Sequence, residues 1–356
     1  MTTLETAPDT RTADALTERL FGAVLATMDL HTVYLGDRLG YYRALLAGPL
    51  TSVELAERTG TAERYAREWL EQQAVTGILD TNPEVDAAQR RYTLPPAHMA
   101  PLTDVLDLGH VAPFARATIG FVKQVDHLLE AFRNGGGVSW AQHGTDAREG
   151  QAGANRPLFL GPLGREYLPS IPDVDAALRA GGPVADVGCG FGWSSIGIAL
   201  AYPDVTVDAY DVDAPSIEAA RRNAREAGVD GRVRFHAVDA ATVETAPYDA
   251  VFAFECIHDL PDPVGVLAAM RRLAGGGERL GHAPAGAQRG VDVRDRRQVL
   301  AAQRPEEQRP VRPRLTLAGV RAVLCPTDSA TGAERLRQQF GLLHRPDHEP
   351  DEGREV

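Results

Sequence analysis

The chain has 356 residues, 44% of them hydrophobic and 24% charged, with a net charge of −12. This is the composition of a soluble globular chain with room for two domains, and it excludes disordered, collagen-like and disulfide-scaffold classes. The negative charge opposes non-specific attraction to nucleic acid or anionic lipid.

Apolar residues recur at helical spacing from Leu16 through Leu20, Phe21, Val24, Leu25, Met28 and Leu30, which predicts a buried helix. A second helical stretch, LGDRLGYYRALLAG, ends at Gly48 before Pro49. Thr51-Ser52 then caps TSVELAERTG, with Glu54 completing a capping box. Thr61 is the expected cap of the next helix, TAERYAREWLEQQAVTGIL, and ILDTNPEVDAAQRRYTL reads as a two-stranded wing. Residues 13–100 therefore read as a winged helix-turn-helix domain. Its second helix carries Glu63, Glu68 and Glu71 beside Arg64 and Arg67, so packing and dimerisation are expected of it rather than DNA reading.

Residues 101–178 contain helical apolar spacing, VAPFARATIGFVKQVDHLLEAF, and read as a helical connector. From residue 182 strands and helices alternate, as in a doubly wound sheet. The strand PVADVG runs into Asp186-Val187-Gly188-Cys189-Gly190-Phe191-Gly192 and then a helix. Glycines at 188, 190 and 192 let the backbone bend and approach a ligand, and the helix amino terminus offers free N–H groups. The spacing lacks the third glycine of the G-x-G-x-x-G dinucleotide fingerprint.

Asp211 ends the second strand, VTVDAYDVD, where a carboxylate meets the two hydroxyls of a ribose. Asp239, with Ala240 beside it, follows the third strand and suits an adenine amine. The fourth strand, YDAVFAFECIHDL, brings Glu255, His258 and Asp259 to the same end of the sheet. An imidazole there suits a general base oriented by a carboxylate, with Glu255 as the substitute base. Cys189, Cys256 and Cys325 form no C-x-x-C pair, so neither a zinc site nor a disulfide framework is indicated, and a reducing cytoplasm is expected. No metal-binding Asp/Asn cluster is recognisable. No apolar run reaches a membrane span, and the acidic start MTTLETAPDTRTAD does not resemble a secretion signal.

The string VADVGCGFG, with Asp211 and Asp239 at successive strand ends, resembles the class I S-adenosylmethionine-dependent methyltransferases. The resemblance implies an α/β Rossmann-like core over residues 179–283, with the cofactor S-adenosyl-L-methionine held by Asp186, Gly188, Gly190, Gly192, Asp211, Asp239 and Ala240. It also implies that the connector, residues 101–178, acts as a lid over the cofactor, with Trp140, Phe159 and Tyr167 as candidate pocket residues and His143, Asn155 and Arg156 as polar contacts. The His258-Asp259 pair and the winged helix are similar to those of small-molecule O-methyltransferases that dimerise through the amino-terminal domain. This implies a homodimer, a small-molecule acceptor methylated at a hydroxyl, and no membrane or nucleic-acid partner. The alternative is a non-catalytic winged-helix regulator that keeps the methyltransferase fold.

The carboxy-terminal part differs in kind. Residues 1–270 hold 21 Lys+Arg against 37 Asp+Glu, whereas residues 271–356 hold 16 against 12 and only one aromatic residue, Phe340. The last strands are doubtful, because the apolar runs of ERLGHAPAGAQRGVDVRDRRQVLAAQRPEEQRPVRPRL are too short and too charged for a buried sheet. Only TLAGVRAVLC, 316–325, suits a strand. Residues 284–356 are thus expected to form an atypical Arg-rich tail, largely irregular. One explanation is a divergent native tail, and the other is a reading-frame shift near Gly275. Codons GGG-GAG-CGT-CTT-GGT-CAT-G for Gly-Glu-Arg-Leu-Gly-His, read one base later, give Gly-Ser-Val-Leu-Val-Met, a good fifth strand. A shifted tail would leave the fourth strand a bare edge and the chain unstable and poorly active.

Overall fold

The computed structural model describes residues 12–82, 85–244 and 247–275 and the strand Ala322–Val323. Helix α1 (Ala13–Arg38) starts at Thr12, whose hydroxyl accepts from the Ala15 N–H. The periodicity predicts burial, yet Leu16, Leu20, Phe21, Val24, Leu25 and Met28 are all exposed, Phe21 to 63%. Only the end of α1 packs closely: a Cβ on Gly36 would meet the Trp69 and Tyr42 rings. The second predicted helix is split, because LGDR closes α1 and Gly40, at φ 72°, separates it from α2 (Tyr41–Leu45).

Helix α3 (Ser52–Thr59) has the full Thr51–Glu54 capping box. Helix α4 (Glu63–Val75) does not use the expected Thr61 cap; Ala62 stands at that position without a side-chain bond. The Thr61 hydroxyl instead accepts from Tyr41 Oη at 3.0 Å, so a core contact has taken the capping group. The wing is present as antiparallel β1 (Asp80–Thr81) and β2 (Tyr92–Thr93). Tyr41, Tyr42, Leu55, Trp69, Leu70 and Tyr92 form the core of this domain.

The connector contributes α5 (Pro96–Thr103), α6 (Ala112–Val122), α7 (Val125–Asn134) and α8 (Trp140–Leu160). Small residues bring α6 and α8 together: a Cβ on Gly120 would strike the Ala147 backbone, and one on Gly150 the Ala117 backbone. Gly144, at φ 76° and ψ −173°, breaks α8 immediately after His143. A π-helical turn, Leu163–Tyr167, and α9 (Pro172–Arg179) lead into the sheet.

The sheet domain follows as β3 (Gly182–Val187), α10 (Trp193–Ala201), β4 (Val205–Asp211), α11 (Ala214–Glu226), β5 (Val233–Ala237), β6 (Ala250–Phe252), α12 (Pro263–Leu273) and β7 (Ala322–Val323). The order is β5-β4-β3-β6-β7 with every pairing parallel. Alternate residues of β3 enter different cores, Val184 with Ile196 and Val207, Ala185 with Val251 and Met270. Burial on both faces explains why the strand reads as continuously apolar. Strand β7 falls inside TLAGVRAVLC and lies along β6, with Val251 opposite Ala322 and Phe252 opposite Val323. The other expectations for 276–356 lie outside the described residues. The chain leaves β3 for β4 on one side and β6 on the other, and this reversal opens a crevice at the carboxyl ends of the strands.

Candidate active site

A cavity of about 380 Å³ occupies that crevice. Its floor is the glycine turn. Gly188, Gly190 and Gly192 have φ of 72°, 52° and 79°, a region L side chains rarely enter. A Cβ on Gly188 would meet Cys256 Sγ and one on Gly192 the Phe235 ring, so these two permit packing. A Cβ on Gly190 would meet nothing, because it would project into open space at the cavity wall. Unlike Gly188 and Gly192, Gly190 thus has no neighbouring protein group that a Cβ would meet.

Asp186 lies beneath the turn, 1% exposed, and is not part of the cavity wall. Its Oδ2 accepts from Ser194 Oγ and Ser195 Oγ, both at 2.6 Å, while Oδ1 has no partner. Burial pushes its carboxyl up to about 6. Asp186 thus fastens the first turn of α10 to the strand below the crevice.

Asp211 lines the cavity at the tip of β4. Its Oδ2 accepts from the Gly190 N–H at 2.8 Å and its Oδ1 from the Asp213 N–H at 2.9 Å. Each oxygen keeps a lone pair for a further donor. Burial raises its pKa, and the two backbone N–H groups oppose that shift. Asp239 and Ala240 also line the cavity. Asp239 caps a 3₁₀ turn over 240–242, and its Oδ1 accepts from the Ala241 N–H at 2.8 Å.

The acid-base candidates are separated. The β6 ladder stops at Phe252, and Glu255 follows at φ 51°, the one described non-glycine residue with positive φ. Glu255 lines the cavity, and burial raises its pKa while the His258 charge opposes the shift. Asp259 also lines the wall. His258 does not: its side chain is 59% exposed at the rim, with Nε2 3.4 Å from Asp259 Oδ1. Cys189 and Cys256 are free thiols; burial raises both, Cys256 to about 12, which keeps them protonated. Among the described residues no group of three or more His, Cys, Asp or Glu side chains is placed to hold a metal ion.

The connector supplies the opposite wall. Trp140, His143, Asn155 and Phe159 are in it, as the sequence suggests, whereas Tyr167 and Arg156 are not. Tyr167 packs against the sheet core, and the Arg156 guanidinium lies 4.4 Å over the Trp193 ring. His143 stands edge-on to Phe121, with ring centroids 5.0 Å apart, and burial lowers its pKa. Sequence reasoning missed Phe121, Arg148 and Gln151. The signal for the last two was legible: Arg148, Gln151, Asn155 and Phe159 recur every three or four residues, so one face of α8 points into the crevice.

The sheet domain has a methyltransferase fold and is preceded by a winged helix. Residues 184–277 match the family model described as Methyltransferase domain, and residues 30–104 match the Rv2258c-like winged HTH domain. The 27-O-demethylrifamycin SV methyltransferase of Amycolatopsis mediterranei (strain S699) is 37% identical over 105 residues, 29% of this chain and 38% of that protein. The ubiquinone biosynthesis O-methyltransferase of Xanthomonas oryzae pv. oryzae (strain PXO99A) is 33% identical over 130 residues, 36% of this chain and 52% of that one. The chain thus spans about half or less of the length of these two relatives. Among solved structures, the mitomycin 7-O-methyltransferase MmcR superposes with a TM-score of 0.55 at 23% identity, over 74% of this chain and 78% of that one. Human N-acetylserotonin methyltransferase, solved with S-adenosylmethionine, gives 0.55 at 15% identity over 76% and 78%. At these identities the likeness concerns the fold.

Proposed function

We propose that the protein transfers a methyl group from S-adenosyl-L-methionine to a hydroxyl of a small molecule. The observation that carries this reading is the pairing of Gly190, whose missing side chain leaves the cavity open, with Asp211, whose carboxylate faces the same space. The donor set suits the cofactor: Asp211 for the ribose hydroxyls, Asp239 for the adenine amine, and the turn at residues 188–192 for the methionine part. The cofactor supplies an electrophilic methyl on a sulfonium.

The chain's own residues would then do three things. Phe121, Trp140 and Phe254, the last just past the end of β6, line the cavity, and this aromatic wall excludes water and stacks an acceptor. Glu255, raised by burial, takes the hydroxyl proton as the oxygen attacks. Asp259, with His258 at the rim, bears on the same end of the cavity. Isothermal calorimetry with S-adenosylhomocysteine tests the reading: saturable binding that Asp211→Ala abolishes supports it, and no binding by the folded wild type sinks it.

We further propose that the chain is a homodimer joined through α1, whose exposed apolar stripe is too continuous for a solvated face. A cytoplasmic location fits a chain in which no described helix is long and apolar enough to cross a membrane. The regulator alternative has less support. Arg64, Arg67, Arg90 and Arg91 are paired with Glu68, Glu63, Glu71 and Glu54, which leaves these cations committed to the protein's own acids rather than to phosphate.

A further inference from the structure

The lid is tied to the cofactor side of the crevice by one buried charge pair. Arg148 Nη2 donates to Asp213 Oδ1 at 2.8 Å, and Nε lies 2.8 Å from Oδ2. The two side chains are 11% and 4% exposed. Asp213 stands two residues beyond Asp211, and the Asp213 N–H is one of the two donors that hold the Asp211 carboxylate. Asp213 also caps α11, accepting from the Ser216 N–H and hydroxyl. Burial alone would raise its pKa, but Ser216 and Arg148 reverse the shift and keep it ionised.

The same guanidinium reaches the other way. Arg148 Nη2 lies 3.4 Å from the Ala141 carbonyl, across the break in α8 at Gly144. The segment before that break carries Trp140 and His143, the acceptor wall. One planar guanidinium therefore touches the strand tip that would meet the ribose and the segment that would meet the acceptor. Nη2 alone makes the hydrogen bonds to both, while Nε lies beside Oδ2 as a charge contact, and a compact ammonium does not reproduce that extended plane.

We infer that Arg148 is a positioning residue that couples occupation of the Asp211 site to the ordering of residues 140–147 against the acceptor. The inference rests on the cofactor reading above. A ligand bound through Asp211 fixes the 211–213 tip, the tip fixes Arg148, and Arg148 holds the segment across the Gly144 break. Acceptor binding is thereby favoured once the cofactor is in place.

Hydrogen exchange with mass spectrometry on the full chain, with and without saturating S-adenosylhomocysteine, tests this. In the wild type the compound should slow exchange at 140–147. In Arg148→Met its affinity should fall about tenfold, a usual coupling size, and at saturation 140–147 should gain no protection. Arg148→Lys keeps the charge, so that the chain folds, and should behave like the Met variant. Asp213→Asn keeps a good helix cap and should lose the same protection. A lowered melting temperature in these variants, with 140–147 still protected as in the wild type, would reduce Arg148 to a structural contact and overturn the inference. A wild type that does not bind the compound would instead overturn the cofactor reading beneath it.

Discussion

Glu255 occupies a backbone region that costs a non-glycine residue of order 1–3 kcal/mol and that gathers at functional sites. It is buried enough for its pKa to rise, and it stands in the cavity wall while His258 stands outside. Glu255→Gln should therefore lower turnover by about 10²–10⁴-fold with little change in S-adenosylhomocysteine affinity. His258→Ala should cost less. The wild-type rate should fall on acidification at a pH above the ordinary carboxylate range, and the Gln variant should lose that limb. Labelled methyl transfer into an extract of the producing cell is the assay, and a His258 variant more damaged than the Glu255 variant would reverse the assignment.

Asp186 gives a separate pH dependence. Its carboxyl titrates at about 6 when folded, against a reference value of 3.8. Between these values the folded chain holds more protons than the unfolded one, so this group lowers stability as pH rises from about 4 to about 6, and adds no further slope above. The size is about 2–3 kcal/mol. Asp186→Asn keeps an acceptor for Ser194 and Ser195 and removes the titration. Urea denaturation at pH 4.5 and 7 should show the variant gaining on the wild type as pH rises, and a constant difference would contradict this account.

At the scale of elements, the lid depends on the close approach of α6 and α8. Gly150 fits only because it has no side chain facing Ala117, so Gly150→Leu should cost about 1–3 kcal/mol by overpacking. It should also weaken S-adenosylhomocysteine binding, because Arg148, Gln151 and Asn155 share the displaced helix. Thermal denaturation and calorimetry check both effects. This contact was not legible in the sequence, since Gly120 and Gly150 mark a close approach only once their partners are known. The glycine turn, Asp211 and the Thr51–Glu54 box were legible because each is a local pattern with a local cause. The displacement of His258 to the rim was not, because the strand ends at Phe252 and the 3₁₀ turn over 257–259 then rotates each side chain differently. Thr61 failed as a cap for a similar reason: a long-range partner, Tyr41, claimed its hydroxyl.

For the whole molecule, the helical spacing of α1 predicts a buried helix, and among the described residues nothing covers its apolar face. If a second copy does, light scattering should give twice the chain mass, and Phe21→Glu with Leu25→Glu should give a monomer. A wild-type monomer would contradict the homodimer. The cofactor site decides what the molecule does, and calorimetric titration with S-adenosylhomocysteine reads it out. One site per chain is expected in the wild type, with the heat lost in Asp211→Ala while the variant stays folded by circular dichroism. Binding of equal strength in both proteins, or none in a folded wild type, would contradict it.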